Sequence, residues 1–384
     1  MKIGIAGVKD SNNDCWISVE ITENGGIQID SKSKVEVMYG ESNRNLITEV
    51  LNALKIENAK VDFEDSGALP YVISARVEAA VKRIEKTDAE FLPEIKPYTS
   101  YSTAKDKFRR SRLYLPGNTP KYSLNAGIHN PDAVILDLED SVSPVEKDAA
   151  LILVRNALRQ VNFYGAEKMV RINQGSLGLE ELEAIVPSGV NVVLIPKCES
   201  AEQVKEVANK IKSLNPENPV WLMPIIESAL GGIKAYEIAT ASETVCSVAI
   251  GLEDYTADIG TQRTSDEKES FWLKSQVVNA AKAARVQPID TVFSDVADEE
   301  GLRQSVLSAK SLGFEGKGCI HPRQIRIIHE AMRPNEAEIS KAQRIVEAFE
   351  QAEKEGLGVV SLGTKMIDPP VVKRALRTVK LAEV

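Results

Sequence analysis

The sequence is poor in cysteine, and its four cysteines form no recognisable group. Cys15, Cys198, Cys246 and Cys319 lie far apart in the chain, and no two of them show CxxC spacing. This distribution indicates neither a zinc site nor a disulfide framework. We therefore expect a protein of the reducing cytoplasm.

The chain also lacks a surplus of positive charge and any long apolar run. Its 47 basic residues stand against 56 acidic ones, and the net charge of −9 would repel phosphate backbones and anionic membranes. No stretch approaches the roughly 18 apolar residues of a spanning helix, and the apolar run at the start is too short for a signal peptide. We expect a soluble protein that has neither a nucleic acid nor a membrane as a partner.

What the sequence does contain is a series of apolar, strand-like runs that end in polar residues. Two of them, PIIES (224–228) and IGLED (250–254), end in carboxylates, Glu227 in the first and Glu253 with Asp254 in the second. Carboxylate oxygens suit Mg²⁺, which usually accepts one or two of them and keeps its other positions for water or substrate. An isolated acid after a strand is more often a helix cap. The pattern recurs in LDLED, VRIN, LIPK and CIHP, and this recurrence favours a Mg²⁺ enzyme.

From Arg109 onward, short apolar strands alternate with helical stretches, as in parallel βα units. The expected strands are RLYLP, AVILDLE, KMVRIN, NVVLIPK, VWLMPIIE, VAIGLE, PIDTVF and KGCIH. Eight strands in about 215 residues predict a (β/α)₈ TIM barrel, which keeps its active site at the carboxyl ends of the strands. A doubly wound open sheet is the alternative, but LPGNTPK after the first strand offers no GxGxxG loop.

Residues 1–85 predict a small α+β domain of their own. CWISVEI and IQID are expected to pair as a hairpin around ENGG, followed by a helix (45–54), a strand (59–65) and a second helix. This domain has no clustered catalytic set, which favours a carrier or binding module. Residues 86–107 are polar and aperiodic, so they form a linker or a wrapping segment; a flexible linker of this length would span about 25 Å.

The barrel region, placed at residues 108–330, is followed by a C-terminal region, 331–384. EAEISKAQRIVEAFEQAEKEG predicts a long amphipathic helix, and the glycines and double proline of GLGVVSLGTKMIDPP predict a mobile flap. The expected fold class is therefore α/β. It combines a TIM barrel with a small N-terminal α+β domain and a C-terminal helix plus flap.

Ordered motifs relate both parts of the chain to known families. RLYLPGN, ILDLED, VRIN, LIPKCES, PIIES, GLEDYTADIG, GKGCIHPRQI and MIDPP resemble the citrate lyase β subunit and the malyl-CoA and citramalyl-CoA lyases of the HpcH/HpaI aldolase family. Residues 1–85 resemble the citrate lyase γ subunit, an acyl carrier protein, through AGVKDS and DSGALPYVISARVEAAV. The resemblance implies that Ser11 bears a covalent phosphoribosyl-dephospho-CoA arm, although Val8, Lys9 and Asn12 depart from the family's usual opening.

The resemblance further implies a retro-Claisen cleavage of a citryl thioester to an acetyl thioester and oxaloacetate. Glu227 and Asp254 would hold Mg²⁺ and, through it, the hydroxyl and a carboxylate of the substrate. Backbone N–H groups from Gly251, Leu252 and Glu253 would receive a substrate carboxylate, since the small Gly251 permits close approach.

Five further residues are candidates for this chemistry. Arg171 would bind the substrate carboxyl or the thioester oxygen as enolate charge builds, or would merely pair with Glu139 or Asp140. Those two acids would otherwise position water and the arginine. Lys197 would attract the same anions, although a lysine that follows a strand is often merely a solvent-exposed residue at the strand end. Asp368 would be the acid that protonates the acetyl enolate, delivered by the flap of a neighbouring subunit, which implies a homo-oligomer, a trimer in this family.

The substrate itself stays open. One hypothesis is a citryl thioester on the carrier, loaded by a separate acyltransferase chain of the citrate lyase α type. A second is a citramalyl-CoA or malyl-CoA lyase with a vestigial carrier, because pocket shape and not a motif distinguishes a methyl from a carboxymethyl group. A third hypothesis is a non-catalytic carrier scaffold. It would require replacement of the residues expected to bind the metal or to act as the acid, and all of them are present.

Overall fold

The computed structural model describes residues 2–264, 266–354, 360–362 and 365–383. Its N-terminal part is a four-stranded sheet with two helices. The elements are β1 (Ile3–Gly7), β2 (Cys15–Ile21), β3 (Ile27–Ser33), α1 (Glu36–Ala53), β4 (Ala59–Asp65) and α2 (Pro70–Lys82).

The N-terminal sheet differs from the predicted one in how its strands pair. The strand order is β1-β2-β4-β3, with β4 antiparallel to β2 and parallel to β3. The prediction that β2 and β3 form a hairpin is therefore wrong. β4 buries Ala59, Val61 and Phe63, whereas every residue of β3 is at least partly exposed. The free energy gained by burying β4 at the centre of the sheet exceeds the advantage of pairing β2 with β3 across their short connection.

All eight predicted barrel strands are present, and they close into a parallel barrel. Around the barrel the order is β10-β11-β12-β5-β6-β7-β8-β9. The strands are β5 (Ser111–Pro116), β6 (Ala133–Asp137), β7 (Glu167–Arg171), β8 (Val192–Ile195), β9 (Trp221–Ile226), β10 (Ser247–Ile250), β11 (Gln287–Asp290) and β12 (Gly316–Cys319). The TIM-barrel prediction is confirmed.

Helices cover the outside of the barrel and connect its strands. They are α3 (Pro120–Leu124), α4 (Lys147–Gln160), α5 (Gly175–Ile185), α6 (Ala201–Ser213), α7 (Ala229–Ile233), α8 (Ala235–Ala239), α9 (Leu252–Asp258), α10 (Phe271–Ala283), α11 (Glu299–Leu312) and α12 (Arg323–Met332). Inside, side chains such as Ile135, Met169, Leu194 and Met223 form an apolar layer, so the barrel is a packed core below its catalytic face.

The N-terminal domain is packed against the barrel through α2 and α4. Every residue of α2 from Tyr71 to Val81 is buried, because one face of the helix covers its own sheet and the other meets the barrel. Arg155 of α4 forms a two-pronged ion pair with Glu78 of α2, with distances of 3.0 Å for Nη1–Oε1 and 2.7 Å for Nη2–Oε2. The two side chains are 1% and 0% exposed. This domain is therefore docked and not merely tethered.

The segment between the two domains wraps the barrel. Arg155 and Arg159 of α4 donate to the backbone oxygens of Phe91 and Pro93, and the buried Lys168 donates to the Thr99 oxygen. The segment thus satisfies buried cations of the barrel. Of the two interpretations of residues 86–107, the structure shows the wrapping segment. The interpretation as a flexible linker is wrong.

The C-terminal region consists of a helical pair and a small two-stranded sheet. Its elements are α13 (Glu336–Lys354), β13 (Val360–Leu362), β14 (Lys365–Ile367) and α14 (Pro369–Ala382). Part of the predicted flap, residues 355–359 and 363–364, lies outside the described residues. Across the described parts of the chain, no helix has the length and apolar character needed to traverse a bilayer.

Candidate active site at the carboxyl ends of the barrel strands

A cavity of about 410 Å³ opens at the carboxyl ends of the barrel strands. Its lining includes Asp140, Arg171, Glu227 and all four residues from Gly251 to Asp254. Residues that are far apart in the sequence meet here because parallel barrel strands all end at one face. Most of the predicted site residues therefore share one cavity.

Glu227 follows the last residue of β9 and is held from two sides. Its Oε1 accepts a hydrogen bond of 2.6 Å from the backbone N–H of Lys197, a residue in the left-handed region with φ of 46°. On the other side lies Gly251, where a Cβ would stand 2.2 Å from Glu227 Oε2. An unusual backbone conformation and an obligatory glycine thus both serve the placement of this one carboxylate.

Burial raises the pKa of Glu227 to about 7, although the Lys197 N–H opposes the rise. The carboxylate of Asp254 raises it further. Asp254 lies in the first turn of α9, and its Oδ1 is 4.0 Å from Lys197 Nζ. A buried acid whose ionisation is opposed by a neighbouring carboxylate marks a site that a cation would stabilise.

The donor set of this pair fits Mg²⁺. Across the described residues, no group of three or more His, Cys, Asp or Glu side chains is arranged to hold a metal ion. Mg²⁺ does not need one, because it commonly takes one or two protein carboxylates and completes its coordination with water and substrate oxygens. Glu227 and Asp254 supply two such oxygen donors at the cavity.

Arg171, the last residue of β7, is fixed by a carboxylate that the sequence did not single out. Its Nε and Nη2 each donate to Asp137, both at 2.7 Å, and its Nη1 lies 3.0 Å from Glu139 Oε2. The guanidinium also lies over the ring of Tyr114, 5.5 Å from its centroid. Burial acts to lower the pKa of Arg171, but the bonds to Asp137 raise it well above its usual value. The side chain is a permanent, oriented cation in the cavity wall.

Glu139 and Asp140 contact both cations of the site. Lys197 Nζ donates to Glu139 Oε1 at 2.8 Å and to Asp140 Oδ1 at 3.1 Å, and Arg171 approaches the same two acids. The interpretation of Lys197 as a solvated strand end is therefore wrong. Burial raises the pKa of Glu139, while the hydrogen bond from Lys197 opposes the rise. The polar residue after each strand was the sequence signal for this network. The sequence did not indicate which of these residues pair with one another.

The backbone donors expected at residues 251–253 are partly occupied. The N–H of Gly251 donates to the Ile226 oxygen at 3.0 Å, so the expectation that it receives a substrate carboxylate is wrong. The N–H of Leu252 makes a long contact of 3.4 Å with Thr291 Oγ1. The carboxylate of Glu253 turns to Arg263, at 2.8 Å. Leu252 and Glu253 still lie in the first turn of α9, where backbone N–H groups have no acceptor within the helix.

Asp368 is described in this chain as a helix cap. It is the N-cap of α14, and its Oδ1 accepts from the Val371 N–H at 3.2 Å. It is not among the residues that line the described cavity. A contribution to a neighbouring subunit's cavity remains a prediction.

Ser11 lies in the loop between β1 and β2, and this loop is linked to the barrel through Arg76 of α2. Three residues on, the buried Asp14 pairs with Arg76, with distances of 3.0 Å and 2.8 Å. Arg76 Nη2 also donates to the backbone oxygen of Asn118 at 2.9 Å. Asn118 stands two residues beyond the end of β5, on the same side of the barrel as the cavity. Arg76 therefore links the Ser11 loop to the connection that follows β5.

Comparison with known proteins identifies both parts of the chain. Residues 110–322 match the HpcH/HpaI aldolase/citrate lyase family. The chain belongs to this family. Residues 2–84 match an ACP family described as the malonate decarboxylase delta subunit, so the N-terminal domain is of the acyl-carrier type.

Members of the HpcH/HpaI family that resemble the chain include enzymes with two different names. The citrate lyase subunit beta of Leuconostoc mesenteroides is 40% identical over 288 residues, which cover 72% of this chain and 94% of that protein. The mitochondrial citramalyl-CoA lyase of Homo sapiens is 32% identical over 320 residues, covering 79% and 94%. The chain is accordingly a carbon–carbon lyase that acts on citrate or a related acyl-CoA or acyl-carrier thioester.

A Mycobacterium tuberculosis relative is similar in structure as well. Its complex with magnesium, acetoacetate and coenzyme A superposes with a TM-score of 0.59 at 29% identity, covering 72% of this chain and 99% of that one. Its complex with oxaloacetate and magnesium gives a TM-score of 0.53 at 30% identity, covering 60% and 100%. Both comparisons support the barrel fold.

Proposed function

We propose that the protein cleaves a citryl thioester carried on its N-terminal domain, releasing oxaloacetate and leaving an acetyl thioester, in a Mg²⁺-dependent reaction. The observation that carries this proposal is the meeting of Glu227, Asp254 and Arg171 in one cavity of an HpcH/HpaI-family barrel. The M. tuberculosis relative, whose complexes hold magnesium with oxaloacetate or with coenzyme A, supports the metal and the product class.

Glu227 and Asp254 are the residues that would hold the metal. When bound, Mg²⁺ would supply Lewis-acid polarisation of the substrate oxygen that becomes the keto oxygen of oxaloacetate. The Lys197 N–H and the open face of Gly251 keep Glu227 in one orientation. Glu139 and Asp140 in turn hold Lys197 beside the acids.

The reaction breaks the bond between the tertiary carbon and the thioester's methylene carbon. The hydroxyl proton would pass to water in the open cavity, the hydroxyl oxygen would become the keto oxygen, and the bonding electron pair would move into the enolate of the acetyl thioester. Arg171, oriented by Asp137, would bind the oxygen on which enolate charge develops. Asp368 would donate the proton that the enolate carbon takes up. Because Asp368 caps α14 in its own chain, the acid would come from a neighbour in a homo-oligomer, for which we propose a trimer.

The carrier would act without a swinging linker. Ser11 would bear phosphoribosyl-dephospho-CoA, and the contacts of Arg76 with Asp14 and Asn118, which link its loop to the barrel of the same chain, support this proposal. The long arm itself, and not domain motion, would then move the acyl group. Loading of the arm requires acyl exchange, for which we propose a separate partner chain of the citrate lyase α type.

The test is cleavage of citryl-CoA with oxaloacetate release followed at a series of Mg²⁺ concentrations. Glu227→Gln and Asp254→Asn should each abolish Mg²⁺-dependent cleavage, since a ligand charge is removed at nearly constant volume. Glu253→Gln is the matched control, because that carboxylate pairs with Arg263 and should be dispensable for metal binding. Wild-type turnover by either variant at limiting Mg²⁺ would contradict the assignment. Citramalyl-CoA, with pyruvate as product, tests the alternative suggested by the human relative.

A further inference from the structure

Arg112 is a buried cation in the cavity wall that the mechanism above does not use. It lies on β5, is 1% exposed and lines the same cavity as Arg171 and Glu227. In the sequence it is the first residue of the predicted strand RLYLP, which gave no sign of a functional role for it. Arginines are almost never fully buried unless they are paired.

The contacts of Arg112 are weak for a buried guanidinium. Nη1 lies 2.8 Å from the sulfur of Met223, and Nη2 lies 3.5 Å from the backbone oxygen of Asp290. Nε has no hydrogen-bond partner among the described residues. A guanidinium carries five N–H donors and is suited to a planar carboxylate. Arg112 therefore retains unused donor capacity in a buried position.

The neighbouring buried charges are matched without Arg112. Lys317 pairs with Asp290 at 2.5 Å. Lys274 pairs with Glu267 at 2.5 Å and approaches Asp290 at 3.3 Å. Two lysines thus stand against two carboxylates, and the described ion pairs include none for Arg112. Arg112 therefore has no ion-pair partner among the described residues.

We propose that Arg112 binds the second carboxylate of a dicarboxylate acyl group and makes the cavity selective for a citryl over a citramalyl or malyl thioester. This inference rests on the proposed function and deepens it. Beside its thioester, a citryl group carries two carboxylates, whereas citramalyl and malyl groups each carry one. In the cavity wall the arginines are Arg112 and Arg171, and Asp137 and Glu139 already engage Arg171. The extra carboxylate of the citryl group therefore has Arg112 as its counter-ion.

Arg112→Met tests the proposal, because methionine can fill the space beside Met223 without a charge. We expect the ratio of kcat/KM for citryl-CoA to kcat/KM for citramalyl-CoA to fall by about 10²-fold, since the extra carboxylate of the citryl group would be buried without its hydrogen-bond donor. Arg112→Lys should retain part of this preference. Ile225→Val, a cavity-lining change without charge, is the control and should affect the two substrates alike.

A binding measurement separates substrate recognition from a structural role. Without ligand, Arg112→Met should melt at the same temperature as the wild type or higher, because an unpaired buried cation has been removed. Oxaloacetate with Mg²⁺ should raise the melting temperature of the wild type more than that of Arg112→Met, and pyruvate should affect both equally. A large loss of stability without ligand, or an equal loss of activity with both thioesters, would overturn the proposal. Failure of the wild type to release oxaloacetate at all would instead refute the proposed function.

Discussion

The docking of the carrier domain predicts a large penalty for breaking the Glu78–Arg155 ion pair. The proposed perturbation is Glu78→Gln, which keeps the shape of the side chain and removes its charge. The Arg155 guanidinium would then stay buried against α2 without its buried counter-ion. Its remaining partners would be the Phe91 oxygen, the Asn156 side chain and Glu90, whose Oε1 lies 2.9 Å from Nη1.

The size of the effect follows from the burial of both partners. Removing one partner of a buried ion pair typically costs about 3–5 kcal/mol, because the other charge is left desolvated. Glu90 is 41% exposed and can offset part of this loss for Arg155. Lys82, 3.0 Å from Glu78, loses a partner as well. We therefore expect the lower end of the range, about 3 kcal/mol, which corresponds to about 10²-fold in an opening equilibrium.

Hydrogen–deuterium exchange followed by mass spectrometry measures this opening. The amides of α2 should exchange about 10²-fold faster in Glu78→Gln, since local opening limits their exchange. Glu330→Gln, which breaks the exposed pairs with Arg303 and Arg326, is the control and should change stability by less than about 1 kcal/mol. An apolar replacement of the pair, Glu78→Leu with Arg155→Met, should recover much of the loss. Unchanged exchange of α2 in Glu78→Gln would refute the view that the carrier is held by this contact.

Three further predictions concern the chemistry. Because the pKa of Glu227 is raised to about 7, its ionised form is lost as pH falls through 7, so the apparent Mg²⁺ constant should weaken about tenfold between about pH 8 and pH 6; a flat dependence in Mg²⁺ titrations would contradict the ligand assignment. Asp368→Asn should lose about 10² to 10⁴ in turnover while still binding substrate, and hybrids with Arg171→Ala subunits should regain partial activity; verified hybrids without rescue would place the acid within one chain. Protein from its native host should carry one phosphoribosyl-dephospho-CoA group by intact mass, absent in Ser11→Ala; an unmodified native protein fully active on CoA thioesters would favour a vestigial carrier.

The sequence alone determined the class of fold and the location of the chemistry. Eight apolar runs with polar ends are enough to predict parallel strands, since a strand buried on both faces has to be apolar throughout. Polar residues such as Glu227, Asp254 and Arg171 could be placed at one face because parallel strands end together. Local pattern and chain order carry this information, and neither depends on which strands are neighbours.

Tertiary structure decided which residues meet. Pairing of β4 between β2 and β3, and the bond from Arg171 to Asp137, depend on contacts between distant segments that local periodicity does not report. The polar segment 86–107 looked like a linker because its role is to satisfy buried cations that belong to other elements. Arg112 was missed for the same reason: a strand pattern does not tell whether a side chain faces the barrel interior, and only the closed barrel shows that its Nε has no hydrogen-bond partner among the described residues.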